Sequence, residues 1–290
     1  MSGNHSKRIR VALMLLFGVI VSGCMPSTTT TRSQSSDDNH ASSITAGSEA
    51  LQEESCQFQG VGADVRVDHG VSLEQLRALA ICGDAKSQYL LGASYYLNPG
   101  ATVDDMRRNY LEAAKWFRMA AEQGTAEGQA AMGWLYEKGH GVTPDLLEAS
   151  RWYRRAATQG MVEAQYNLAL LYHHGRGVTQ NDDLAEKWYL QAAEQGHVCA
   201  QNNLGGLYEY RTIFLKLLIE STTYRRGDPL TGRHKKYEQA FIQAYKWYAI
   251  AASNNPRLAI RNRDKLEPQL TRAELAEAKK LVREWKEQHN

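Results

Sequence analysis

The sequence lacks an apolar run long enough to cross a bilayer. The one near its N-terminus, from Val11, reaches about 13 residues even when counted to Gly23, short of the roughly 17–25 required. Net charge is also nearly absent. The chain has 34 Lys and Arg against 32 Asp and Glu, and leaving out Lys7, Arg8 and Arg10 gives 31 against 32, a balance that argues against nucleic acid as a partner. Neither S-x-x-K nor K-T-G occurs, and with them go the residues from which serine β-lactamases are built. His173-His174 and His197-Val198-Cys199 are close pairs without a further ligand at a zinc spacing, so they read as exposed helix-end residues and no metal or other cofactor is expected.

What the chain has is repetition. Trp116, Trp152, Trp188 and Trp247 each sit in the phrase A-x-x-W-[FY]-x-x-A-A, the first three 36 residues apart. Ala149, Trp152, Tyr153, Ala156 and Ala157 fall at i, i+3, i+4, i+7 and i+8, one stripe of an α-helix, which recurs as Ala113 to Ala121, Ala185 to Ala193 and Ala244 to Ala252. Upstream of each lies a second phrase, seen at Leu91-Gly92, Met132-Gly133, Leu168-Ala169 and Leu204-Gly205, each followed by a tyrosine three residues after the small residue. Glycine in mid-helix costs about 1 kcal/mol, so its recurrence predicts close helix contact. Between the two helices run Gly139-His140-Gly141-Val142-Thr143-Pro144 and Gly175-Arg176-Gly177-Val178. These glycines end one helix, Thr143 suits an N-cap and Pro144 the first turn of the next. No strand precedes the G-x-G pairs, which argues against a phosphate loop. Gly124, Gly160 and Gly196 close the second helices.

Over about residues 84 to 256 these phrases resemble the Sel-one-like repeat family, relatives of the tetratricopeptide repeats, most completely at 125–160 and 161–196. The first copy departs at Asn98 to Thr102, where the turn is longer, and the fourth carries an insertion at about 211–236. The resemblance implies an all-α fold, a right-handed α-solenoid of antiparallel helix pairs with about four 36-residue repeats and capping helices at both ends. It also implies a concave surface that grips protein or peptide partners and no enzymatic activity. A stacked array independently leaves one inner surface free of core duties. A secreted, cysteine-rich branch of the family is associated with β-lactamase-like activity, but this chain lacks that branch's paired cysteine in every repeat.

The N-terminus, with Lys7, Arg8 and Arg10, the apolar stretch and Val21-Ser22-Gly23-Cys24, resembles a bacterial lipoprotein signal over residues 1–23. That resemblance implies cleavage before Cys24 and lipidation of its sulfur and amine with fatty acyl chains such as palmitate, several of which anchor stably. Met25 instead of Asp favours the outer membrane by the sorting rule of enteric Gram-negative bacteria, with the periplasmic or surface face left open. Residues 24–50, rich in Ser and Thr, form a tether. Of the three remaining cysteines, Cys56 and Cys82 would tie the segment 51–83 onto the first helix pair if bridged; two buried thiols are the alternative, and Cys199 reads as a small core residue.

In the insertion, Ile213 to Ile219 extend a helix until Gly227-Asp228-Pro229 turns the chain, followed by a basic loop of Arg225, Arg226, Arg233, Lys235 and Lys236. That loop is either simply solvated or a contact for anionic lipid, lipopolysaccharide, cell wall or an acidic partner. Leu258 to Leu266 and Thr271 to Gln288 read as C-terminal caps within 257–290, with Thr271 and Glu274 as a capping box. Ser72 with Gln75 opens an N-terminal capping helix.

Partner binding is expected from first-helix side chains outside the core pattern, Tyr96, Lys138, Asn167, His174 and Asn203. The expected function is a non-enzymatic, membrane-anchored adaptor or scaffold for protein partners in the bacterial envelope. A cell-wall-directed or β-lactamase-like hydrolase is the alternative class, and a surface-exposed host-interaction factor a variant of the first. The oligomeric state is left open.

Overall fold

The computed structural model describes residues 73–98, 100–221, 230–254 and 256–289, and among them only helices, turns and loops occur. The segments read from sequence as a lipoprotein signal with Cys24 and a tether, together with Cys56, Ser72, Arg225, Arg226 and the expected turn at Gly227-Asp228-Pro229, lie outside the described residues. Among the described residues no helix is long and apolar enough to cross a membrane. The chain divides between Leu207 and Tyr208 into two compact units.

In the first unit, helices run as α1 (Leu73–Ile81), α2 (Ala85–Leu97), α3 (Val103–Glu122), α4 (Ala126–Lys138), α5 (Leu146–Thr158), α6 (Val162–His174), α7 (Asp182–Glu194) and the start of α8 (Val198–Ser221). From α1 to α7, each helix packs on the next. This is the α-solenoid expected from the two alternating phrases, with α2, α4, α6 and α8 as first helices and α3, α5 and α7 as second helices.

The repeated stripe forms the core. Ala113, Phe117, Ala120, Ala149, Tyr153, Ala156, Ala185, Tyr189 and Ala192 are essentially inaccessible, and Trp116 and Trp152 are buried, whereas Trp188 is half-buried. Mid-helix glycines explain the close approach. A Cβ on Gly133 would stand 2.6 Å from the Tyr153 ring, and one on Gly92 would stand 2.8 Å from Phe117. Leu91, Met132, Leu135, Leu168 and Leu171 fill the other side of the first helices.

The turn after α4 is built differently from the sequence reading. Gly139 takes φ 72° and returns its N–H to Leu135 O, ending α4. Thr143 and Pro144 stay outside any helix, and Asp145 is the N-cap of α5, its carboxylate accepting from Leu147 and Glu148 N–H. The reason is a closure bond. Asp145 N–H donates to Tyr136 O at 2.9 Å, which holds residues 140–144 as a loop, and Asn181 repeats the arrangement on Tyr172 O. Gly141 then comes so close to the preceding repeat that a Cβ would lie 2.1 Å from Tyr110 O; Gly177 meets the Leu146 backbone in the same way.

A further series of bonds ties the units of the array. Gln88, Gln129, Gln165 and Gln201 each donate from Nε2 to the carbonyl of Ala80, Ala121, Ala157 or Ala193 on the helix before, at 3.1, 3.4, 3.3 and 3.0 Å. Their Oε1 atoms accept from Gln123, Gln159 and Gln195 at 2.7, 2.8 and 2.8 Å. Only the last lacks its donor: Gln201 Oε1 is buried with no hydrogen-bond partner among the described residues. The sequence has Asn254 where the next glutamine would stand.

In the second unit, α8 continues to Ser221, as its apolar residues predict, and α9 (Leu230–Ser253), α10 (Arg257–Leu266), a 3-10 turn (Glu267–Gln269) and α11 (Arg272–His289) follow. Arg233, Lys235 and Lys236, expected in a loop, are therefore helical, because α9 begins at Leu230 ahead of them. Both α10 and α11 pack on α9. Phe241, Ala244, Tyr245, Tyr248, Leu266 and Ala278 form the core, with Leu270 and Leu275 against it. Thr271 and Glu274 make the reciprocal capping box, Glu274 Oε2 accepting from Thr271 N–H at 2.7 Å and Thr271 Oγ1 accepting from Glu274 N–H at 3.3 Å.

Candidate binding surface on the first helices

On an α-helix, residues at i, i+3, i+4, i+7 and i+11 share a face. On α6 this places Tyr166, Asn167 and His174 together, and on α4 it places Trp134 with Lys138. Side chains link this face from one first helix to another. Trp134 Nε1 donates to the Tyr96 oxygen at 2.8 Å, which leaves the hydroxyl proton of Tyr96 for His140 Nδ1, 2.9 Å away. Tyr110 stacks on the His140 ring with 4.3 Å between centroids, and the Lys138 ammonium lies 4.7 Å above the Trp134 ring. On the next pair, Asn203 Nδ2 donates to Tyr166 OH at 3.3 Å, and Tyr166 stacks on His197 at 4.5 Å.

The five residues nominated from sequence fall on these first helices but are not equivalent. Tyr96 and Asn167 are buried, Lys138 and Asn203 half-buried, and His174 alone is exposed. Tyr96 was expected outside the core pattern. It is instead a strut between α2, α4 and the turn carrying His140, and burial pushes its phenol up to about 12. Burial, then the nearby Lys138 charge, lowers the His140 imidazole, consistent with its accepting role at Nδ1.

His197 also differs from expectation. It is buried, and its Nδ1 accepts from Ala200 N–H at 3.1 Å, so the imidazole is the N-cap of α8. Desolvation lowers it to about 4, which keeps the capping nitrogen free of a proton. His173 Nδ1 lies 3.0 Å from Asp182 Oδ1, and no group of three or more potential metal-ligating side chains gathers among the described residues.

The expected pairing of Cys82 with Cys56 is corrected. Cys82 is an exposed free thiol, whereas half-buried Cys199, read from sequence as a core residue, is disulfide-bonded. Order along the chain had put Cys82 nearest to Cys56, but Cys82 follows directly on α1 at its exposed end.

Glu137 and Glu209 occupy the position after the first-helix tyrosine and act alike. Glu137, only 2% exposed at its side chain, accepts from Tyr153 OH at 3.1 Å and lies 3.3 Å from the Arg176 guanidinium. Glu209 accepts from Tyr248 OH at 2.8 Å. Burial first, then the carboxylate, raises both phenols. These are structural ties. Sequence reading missed them, although the glutamic acids stand at matching places in two copies.

Two shallow grooves lie elsewhere in the first unit. One of about 690 Å³ is lined by Leu147, Arg154, Tyr172, Val178 and Leu184, with Arg154 donating to Tyr172 OH. The other, about 520 Å³, is lined by Gln165, Trp188, Gln191 and Gln195, which accounts for the half-exposure of that tryptophan. Neither pairs a nucleophile with a base. On the first-helix face Trp134, Tyr166 and Asn167 are buried, and what it presents is half-buried Lys138 and Asn203 and exposed His174, polar groups suited to non-covalent recognition.

The family model described as Sel1 repeat matches residues 85–125, 126–161, 162–197 and 231–256. The first match is longer because α3 has 20 residues where α5 and α7 have 13. Among solved structures, a Sel1 repeat protein from Oxalobacter formigenes is 32% identical, over 46% of this chain and 97% of that one, with a TM-score of 0.41. A protective antigen present in uropathogenic Escherichia coli strains, described as displaying an SLR fold, is 26% identical over 83% of this chain and 62% of that one, with a TM-score of 0.44. No curated protein matches the chain.

Proposed function

Because the chain belongs to the Sel1 repeat family, whose members generally mediate protein–protein interaction, we propose that it is a non-enzymatic, lipid-anchored adaptor binding a protein or peptide partner in the bacterial envelope. The observation that carries this reading is the accessible first-helix strip of Lys138, His174 and Asn203, backed by the buried Trp134, Tyr166 and Asn167. Its ammonium, imidazole and carboxamide groups can meet a partner's carboxylates and backbone groups. The anchor is Cys24, placed in the outer membrane by Met25 and joined to the array through the Ser- and Thr-rich tether. Such a tether raises the local concentration of membrane-held partners around the array.

The test places a photo-cross-linking residue at His174 and, as a control, at exposed Arg151 on the second helix α5, in full-length protein in living cells. A discrete polypeptide adduct from position 174 and not from 151 is expected. Equal labelling from both positions, or turnover of peptidoglycan by the purified protein, would overturn the reading. Separately, Cys24→Ala should move the protein from the membrane to the soluble fraction; unchanged fractionation removes the anchor.

A further inference from the structure

The larger groove of the first unit is walled by α5, α6, α7 and the turn between the last two, and among the residues lining it Arg154 carries the only charge. The Arg154 guanidinium donates to Tyr172 OH and lies 5.8 Å from the centre of that ring, and no carboxylate pairs with it among the described residues. A phenol fixes a guanidinium in place without neutralising it. Most of the N–H donors in its planar fork remain for another acceptor. Around this cation the surface is apolar, with Leu147 47% exposed and Val178 and Leu184 half-buried.

The repeat before supplies a comparison within the same chain. Counting back 36 residues from each lining residue returns the same residue type except at two positions, where Asn181 answers to Asp145 and Leu184 to Glu148. The framework is otherwise kept. Arg118 donates to Tyr136 OH at 2.9 Å, as Arg154 does to Tyr172 OH, and Leu111 is exposed like Leu147. What changes is charge, since two carboxylates of the earlier copy are absent from the later one.

Folding does not demand that change. Asp145 and Asn181 both cap the following helix through a side-chain oxygen, the first accepting from Leu147 and Glu148 N–H and the second from Leu184 N–H. Glu148 and Leu184 are both half-buried, so the later copy leaves an apolar side chain partly in water where the earlier one holds a carboxylate.

The geometry points to a second contact surface at this groove, one that takes an acidic side chain of a protein partner together with the apolar residue beside it. The carboxylate pairs with the Arg154 guanidinium, whose fork matches it in a bidentate manner. The apolar neighbour covers Leu147, Val178 and Leu184. A wholly apolar segment would strip water from the guanidinium and return nothing, and a basic one would be repelled. At the earlier copy Asp145 and Glu148 turn the same acidic group away, so one such segment binds per chain. The surface is separate from the first-helix strip, for none of Lys138, His174 and Asn203 lines it.

The probe is a fluorescent, end-capped hexapeptide of alternating Leu and Asp, followed by anisotropy as full-length protein is added. Saturable binding is expected. Exchanging Asp for Asn in the probe, or Arg154→Gln in the protein, should weaken it at least about tenfold, as befits loss of a charge-assisted pair. Arg118→Gln removes the same tie to a tyrosine from the same framework and should leave affinity unchanged, so damage to the fold alone would show in both variants. Asp145→Asn with Glu148→Leu, which retains a capping oxygen, should double the binding capacity. No saturable binding, equal affinity for the Asn probe, equal loss in the two arginine variants or an unaltered capacity after the double exchange overturns the inference. Lys138→Ala with His174→Ala should change nothing here; a loss would put the probe on the first-helix strip and overturn this surface while leaving the adaptor reading in place.

Discussion

Gln159 donates from Nε2 to Gln129 Oε1 at 2.8 Å, joining the end of a second helix to the start of the first helix in the same repeat. Gln129 passes its own Nε2 proton to Ala121 O in the repeat before. One carboxamide thus serves two neighbours from a buried position, where an unmet amide costs about 1–3 kcal/mol. Gln129→Met, close in shape, should lower unfolding stability by about 1–2 kcal/mol in urea titrations. Combined with Gln159→Met, the loss should fall short of additivity by about 0.5–1 kcal/mol. Full additivity would mean that the pair is not coupled.

The second glycine of each G-x-G turn is fixed by contact as well as by backbone conformation. Gly141→Ala drives a Cβ to 2.1 Å from Tyr110 O at φ 70°, whereas Gly160→Ala, at φ 91°, meets nothing within 4 Å. The first should cost about 3 kcal/mol or more and the second about 1–2, the price of left-handed backbone alone. Thermal melts of the two variants decide it. Equal losses would remove the close approach as the cause.

His197 makes the array acid-sensitive. Its folded value of about 4 lies below the unfolded one near 6.5, so the unfolded chain binds the extra proton between those values and stability falls as pH drops through that window. The full effect is about 3 kcal/mol. His140, lowered by burial and Lys138, acts in the same direction. His197→Asn retains an acceptor for Ala200 N–H and should flatten, without abolishing, the fall in melting temperature between pH 7 and pH 4.5. An unchanged slope would acquit His197.

The first helices do not start alike. Asp84 caps α2 through Ser87 N–H and His197 caps α8, whereas Met161 offers α6 no side-chain acceptor. Met161→Asp supplies one and should stabilise the protein by about 1 kcal/mol, read as a higher urea midpoint with an unchanged slope. No gain would mean that Met161 contributes equivalent packing.

The helical stripes were legible because Ala, Trp and Tyr recur at helix spacing, and burial follows from that periodicity whatever the surroundings. The glutamine links carried the same 36-residue signal at Gln129, Gln165 and Gln201, yet a lone glutamine reads as surface by composition, and its value appears only once its neighbours are known. His197 was misread for the same reason, since helix-end histidines are usually wet. Tyr96 occupies a place held in other copies by Glu137, His173 and Glu209, so the repeat pattern gave no consistent chemistry from which to infer its strut. Thr143 satisfied every local rule for an N-cap and lost to the closure bond from Asp145 to Tyr136. Cysteine pairing depends on distance through space, about which order along the chain says little.

The identity of bonds at successive junctions has a consequence for growth of the molecule. What Gln129 offers to Ala121 and Gln159, Gln165 offers in turn to Ala157 and Gln195, so the boundary after Gly160 is chemically the same as the one after Gly124. A duplicate of residues 125–160 spliced there would find matching donors and acceptors waiting on both sides. The gene can therefore lengthen or shorten by whole segments at this seam, and tune reach without redesigning a single joint.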